Sequence, residues 1–226
     1  MSESFVRRER GRIAAELAVI VVMAVAFLVL FEDRPGYVDA LLGLAAVGLI
    51  AAGTSRGRTL WALQPRLAAG AGRRRGAAWK ETGLFTVPVV VAFFAAALVL
   101  GYSDGGWAGA FERVANWHLA AALLLYLPWG LLQQFIFQFF LLGRLLFLLP
   151  PAAAIALTAV AFSAVHFPRL PVMAGTLVAG AVWALIYRRH RLLLPLAVSH
   201  AVLGATLHYW IFGRDLLASW LPPFGR

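Results

Sequence analysis

Three glutamines stand where carboxamides are out of place. Gln133, Gln134 and Gln138 lie within Trp129-Gly130-Leu131-Leu132-Gln133-Gln134-Phe135-Ile136-Phe137-Gln138-Phe139-Phe140-Leu141-Leu142, inside an apolar run long enough to cross a bilayer. Helical spacing puts Gln134 and Gln138 on one face, with Gln133 about 100° round from Gln134. Each amide offers two N–H donors and an acceptor oxygen that lipid cannot satisfy. An unpaired buried group of this kind costs roughly 1–3 kcal/mol, so the glutamines need partners. The candidates are His166 and His200, each in an apolar context, Ser163-Ala164-Val165-His166 and Ala197-Val198-Ser199-His200. Ser199 and Gln138 are expected to complete a polar network around them. Polar groups at bilayer depth point to a functional site.

The other histidines have plainer readings. His190 sits in the basic turn Arg188-Arg189-His190-Arg191, His118 at the start of an apolar run, and His208 near the end of one, where it can snorkel to the interface. The ten acidic residues, among them Glu16, Glu81, Asp104 and Glu112, avoid the middle of every apolar run. No carboxylate is therefore at hand as a membrane-embedded base or proton relay, which argues against an ion-coupled transporter. Two histidines without a carboxylate or thiolate make a poor zinc set, so no metal and no cofactor is expected. Cysteine is absent, which excludes disulfides and thiolate chemistry.

These residues must be positioned by membrane helices. The chain of 226 residues is 62% hydrophobic and only 13% charged, with a mean hydropathy of +0.81, well outside the balance of soluble domains. The apolar runs predict an all-α polytopic membrane bundle of about seven helices forming a single domain over residues 1–226. They are Ile13–Phe31, Tyr37–Ala52, Thr82–Gly101, Trp117–Leu142, Ala152–Phe167, Val172–Tyr187 and Leu192–Phe212. Pro88 and Pro128 are expected to bend their helices, and Tyr102–Asn116 reads as a polar loop. Thr59–Ala69, with Trp61, reads either as a surface helix or as a solvated basic loop.

The formal charge of +10 fits orientation and anionic lipid better than nucleic acid, because the basic residues sit in short connections. With the N-terminus in the cytoplasm, fifteen of the twenty Lys and Arg fall on the inner side, Arg144 among them. No cleavable signal peptide is visible, since Ile13–Phe31 is too long for a signal h-region. The expected setting is the bacterial cytoplasmic membrane.

The order of these motifs resembles the CPBP family, the CAAX-protease and bacteriocin-processing (Abi) intramembrane endopeptidases. That family shows Glu-Glu-x-x-x-Arg, then Phe-x-x-x-His, then His-x-x-x-Asn or Asp, on successive helices. Here the first motif reads Gln133-Gln134-Phe135-Ile136-Phe137-Gln138, the second is intact as Phe162 to His166, and the third keeps His200 but has Gly204 for the Asn. The resemblance covers about Leu124–Leu207. It implies a CAAX-protease-like fold with a site at Gln133, Gln134, His166 and His200. In the family the first glutamate and the histidines activate a water, and the second His and the Asn hold the oxyanion.

A carboxamide has no basic lone pair for that first role. Exchanging Glu, Glu and Arg together for Gln keeps the charge balanced, whereas losing one partner would strand a buried charge. Conventional glutamyl proteolysis is therefore not expected. Three readings follow. One is an altered endopeptidase with His166 as base. Another is a non-catalytic membrane scaffold that binds a peptide or a protein's C-terminal segment. A small transporter ranks last.

Overall fold

The structure, a computed structural model, describes residues 10–18, 44, 48, 71–115 and 117–214, and all of the regular structure among them is helical. The second expected span, the Thr59–Ala69 segment and most of the first span lie outside the described residues. Helix α1 is Ala71–Val114, and α2 runs over Trp117–Leu148. Helix α3 is Pro151–Ala164 and α4 is Leu170–His190. Helix α5 is Leu194–Thr206 and continues as a π-helical turn, Leu207–Ile211. Among the described residues three helices are long and apolar enough to cross a membrane: Arg75–Val114 within α1, then α2, then α4. The helical membrane architecture stands, carried among the described residues by these three spans and the shorter helices α3 and α5. Helix α3 has 14 residues, only ~21 Å at 1.5 Å per residue, against ~30 Å of hydrocarbon.

Two boundaries also differ. Residues 102–114 are mostly helical rather than loop: the helix breaks at Gly105 and Gly106, and a second short helical stretch follows to Val114. Gly105 is extended (φ −160°) and Gly106 is left-handed (φ 62°), a conformation in which glycine meets no Cβ penalty. The chain then doubles back: a Cβ on Gly101 would come 2.7 Å from the Cα of Ala110. Helix α2, in turn, does not stop at Leu142. It passes through Gly143 and Arg144 to Leu148, with Phe135–Leu142 in π-helical form.

The described residues form two compact units, and the chain passes from one to the other inside α2, between Gln134 and Phe135. One unit holds residues 10–18 and 135–189. In it α3 and α4 pack closely, since a Cβ on Gly180 would sit 3.2 Å from Ala159 Cα and from Phe162 Cδ1. Phe162 is fully buried and meets Phe137 and Trp183 edge to face, with centroids 5.1 and 5.5 Å away. Arg144, read from sequence as a loop cation, is buried. It donates to Glu16 Oε2 at 3.0 Å and lies 3.6 Å above the Phe140 ring. A planar, weakly hydrated guanidinium suits that sandwich better than an ammonium.

The other unit holds residues 44, 48, 71–115, 117–134 and 190–214 of those described. Here α5 packs against α2 and α1. Arg113 ties the end of α1 to the end of α5, donating to the carbonyls of Trp210 and Ile211 at 2.7 and 3.0 Å and to Asp104 at 3.0 Å. Terminal helical carbonyls have no intrahelical donor, so the guanidinium caps them. Near the opposite end of α1, Glu81 meets His190 at 3.0 Å.

Candidate functional site

The face of α2 that carries Tyr126, Gly130 and, a turn further on, Gln134 is set against α5. Residues four apart share a helix face, and small residues let membrane helices approach. A Cβ on Gly130 would meet Ala197 O at 3.0 Å and His200 Cβ at 3.5 Å. His200 therefore stands opposite Gly130, one helical turn from Gln134. One turn in the other direction, Tyr126 lies over Gly204, where a Cβ would meet Tyr126 Cε1 at 2.7 Å. The Tyr126 ring is 6.4 Å from that of His200 and 6.5 Å from that of His208. Sequence reasoning missed Tyr126. Its signal was the i, i+4, i+8 spacing that puts it in line with Gly130 and Gln134.

Gln134 and Gln138 are both completely buried, while Gln133 is part-exposed with its Oε1 enclosed. Neither side-chain atom of Gln134 or Gln138 has a hydrogen-bond partner among the described residues, and the same is true of Gln133 Oε1. Nearby hydroxyls behave differently. Thr158, Thr176 and Thr206 each donate to the carbonyl four residues back at 2.7–2.8 Å. A hydroxyl close to the backbone can reach its own helix in this way; a longer carboxamide needs a partner from elsewhere. The π-helical stretch begins directly after Gln134, and such segments recur at functional sites.

His166 differs from its expectation. It lies beyond the end of α3, in a turn, rather than inside an apolar helix. Pro168 shortly afterwards is the local reason, since its ring restricts the residue before it and stops the helix. His166 Nδ1 is 2.8 Å from Phe162 O. A carbonyl only accepts, so Nδ1 carries the proton and Nε2 is the basic nitrogen. His208 is fixed in the same sense by Gly204 O at 2.9 Å. Ser199, expected in the polar network, is 2.6 Å from Thr86 Oγ1 of α1. Of the sequence-derived site residues, Gln133, Gln134, Ser199 and His200 fall in one unit, Gln138 and His166 in the other. Among the described residues no three of His, Cys, Asp and Glu cluster as metal ligands do.

A family model, "Type II CAAX prenyl endopeptidase Rce1-like", matches residues 114–206. Over that stretch the chain resembles the CAAX-protease family. The match takes in every residue of the three motifs, from Gln133 to Gly204. Its long apolar helices and this resemblance together point to an integral membrane protein. No curated protein and no solved structure matches the chain. Within this CAAX-protease-like protein the residues with chemistry left to offer are amides, imidazoles and one phenol. Such a set can donate and accept hydrogen bonds to a peptide backbone; its only base of suitable strength is histidine.

Proposed function

We propose that this CAAX-protease-like protein holds a peptide segment in the membrane without cutting it by the glutamyl route. One observation carries the reading: Gln134 is fully buried, and neither atom of its amide is hydrogen-bonded among the described residues. An amide is complementary to another amide, and a peptide backbone supplies both the N–H and the C=O that Gln134 lacks. Neutral glutamine also binds such a segment without the desolvation cost of a buried carboxylate. The occupant is a membrane peptide or a protein's C-terminal segment, of the kind the family model's name denotes, a CAAX prenyl chain end. The protein acts as one membrane domain, with its N-terminus in the cytoplasm of a bacterial cell, the arginine-rich connections facing inward.

The test uses the full-length protein in lipid nanodiscs with a fluorescent farnesylated peptide ending in a CAAX tetrapeptide. Saturable binding is expected, with the peptide recovered intact by mass spectrometry. Gln134→Leu should weaken binding about tenfold, the value of one well-made hydrogen bond to a buried group. Absence of binding by the wild type sinks the proposal.

A second reading has its own observation. The contact of His166 Nδ1 with Phe162 O leaves Nε2 as the basic nitrogen, the tautomer a histidine general base requires. Cleavage of the same peptide by wild type, lost in His166→Ala, would establish a histidine-dependent hydrolase in its place.

A further inference from the structure

Beyond Gly105 and Gly106 the chain forms a short helical arm, residues 107–114, that folds back on the end of α1. The return is close because the facing residues lack side chains. A Cβ on Gly109 would come 2.5 Å from Gly101 O, and one on Gly101 would come 2.7 Å from Gly109 O. That contact, together with buried Ala110, occupies one side of the arm. Arg113 reaches from the same arm to the carbonyls of Trp210 and Ile211 at the end of α5. The other side carries Trp107 and Phe111, four apart and so on one face, and they are 77% and 69% exposed. Tyr102, also exposed, meets Trp107 edge to face with centroids 5.2 Å apart. Trp117, just past the arm, is exposed as well. Large aromatic rings therefore stand open together at one end of α1, all within one unit of the molecule.

We propose that this aromatic face is seated in the interfacial layer of the bilayer, where headgroups meet acyl chains, and that the arm lies along the membrane surface as an anchor for α1 and the end of α5. Depth supports this placement. Residues 82–101, between the carboxylate of Glu81 and the hydroxyl of Ser103, rise about 30 Å at 1.5 Å per residue, the thickness of the hydrocarbon. The whole of Arg75–Val114, 40 residues, would rise about 60 Å if straight, twice what the hydrocarbon spans. The reversal at Gly105 and Gly106 thus falls at headgroup level. The exposed surface is also continuous. Val91, Val99 and Tyr102 face outward along the span, and the contact of Tyr102 with Trp107 carries that surface onto the arm. Indole and phenol suit this level, since each joins an apolar body to a polar edge. Glu112 lies about 100° round from Phe111 and is exposed, as is Asp104, which leaves carboxylates for the water side. The placement does not depend on the peptide-binding reading.

The chain contains no cysteine, so a single introduced one can carry a nitroxide label without background. Trp107→Cys, Phe111→Cys and Glu112→Cys are each labelled in the full-length protein and placed in nanodiscs of phosphatidylcholine and phosphatidylglycerol. Replacing one exposed side chain at a time leaves the other rings to hold the arm. Electron paramagnetic resonance then compares collisions with oxygen, which concentrates among acyl chains, and with a water-soluble nickel chelate. Oxygen should dominate at positions 107 and 111 and nickel at 112, a reversal between adjacent residues. Nickel dominating at 107 and 111 puts the arm in water and overturns the proposal. Labels there that neither reagent reaches also overturn it, and make the occupant of this face a protein, such as a second copy of the chain. Oxygen dominating at all three positions sinks the arm into the hydrocarbon and overturns its seat at the surface.

Discussion

Two helix pairs among the described residues have opposite contents. Between α3 and α4 the approach is dry. Gly180 sits against Ala159, Phe162 and Trp183 fill the space, and the buried hydroxyls are satisfied by carbonyls, Thr158 by Ala154 and Ser163 by Met173. Between α2 and α5 the approach is far more extensive, with Gly130 against Ala197 and Gly204 against Tyr126, and polar residues cluster along it. Gln134, His200, Tyr126 and His208 occupy successive turns there, and the Gln134 amide has no partner among the described residues. Small residues bring membrane helices together in both cases. What differs is the use of that closeness, for packing in one pair and for a polar site in the other.

The largest effect should come from emptying the dry pair. Phe162→Ala removes a fully buried ring and should cost about 3–5 kcal/mol, the usual range for a buried aromatic truncated to alanine. Thermal unfolding in detergent micelles measures it. A cost below ~1 kcal/mol would show that α3 and α4 are not held by this contact. Gly130→Leu tests the other pair by overfilling it. With Ala197 O only 3.0 Å from the first added atom, the helices must separate, at about 1–3 kcal/mol.

Gln134→Leu sharpens the comparison because its sign should be reversed. Replacing an unpaired buried amide by an apolar group of similar size relieves a desolvation penalty, so stability should rise by about 1 kcal/mol even as peptide binding falls. A loss of stability of the same size would mean that Gln134 has a structural partner, and the site would need to be placed elsewhere.

The sequence was most legible where physics is local. Apolar runs announced the helices, and Gln134 and Gln138, read as polar groups inside such a run, are both buried. It was least legible where tertiary contacts decide. Nothing in Phe135–Leu142 signals a π-helix, because the change is one of hydrogen-bond register and leaves no mark on composition. Arg144 looked like a loop cation because its partner, Glu16, is 128 residues away. The stretch around Gly105-Gly106 was read as a long loop, yet those two residues alone make the reversal between two helical stretches. Tyr126 escaped notice because its meaning depends on a missing side chain at Gly204, which only the packing of α2 on α5 reveals.

Ser199 provides the smallest effect and a clean division between the two helix faces. It precedes His200 in sequence, and proximity alone assigned it to the polar network. Adjacent helical residues point about 100° apart, and Ser199 instead meets Thr86 of α1 at 2.6 Å while Thr86 also donates to Thr82 O. Ser199→Ala should therefore cost about 1 kcal/mol of stability, a typical net value for one hydrogen bond, and leave the affinity for peptide as it is. Thermal unfolding and the nanodisc binding assay read the two quantities separately. A tenfold fall in binding with unchanged stability would return Ser199 to the site. It would mean that the polar cluster extends round α5 onto the face that meets α1.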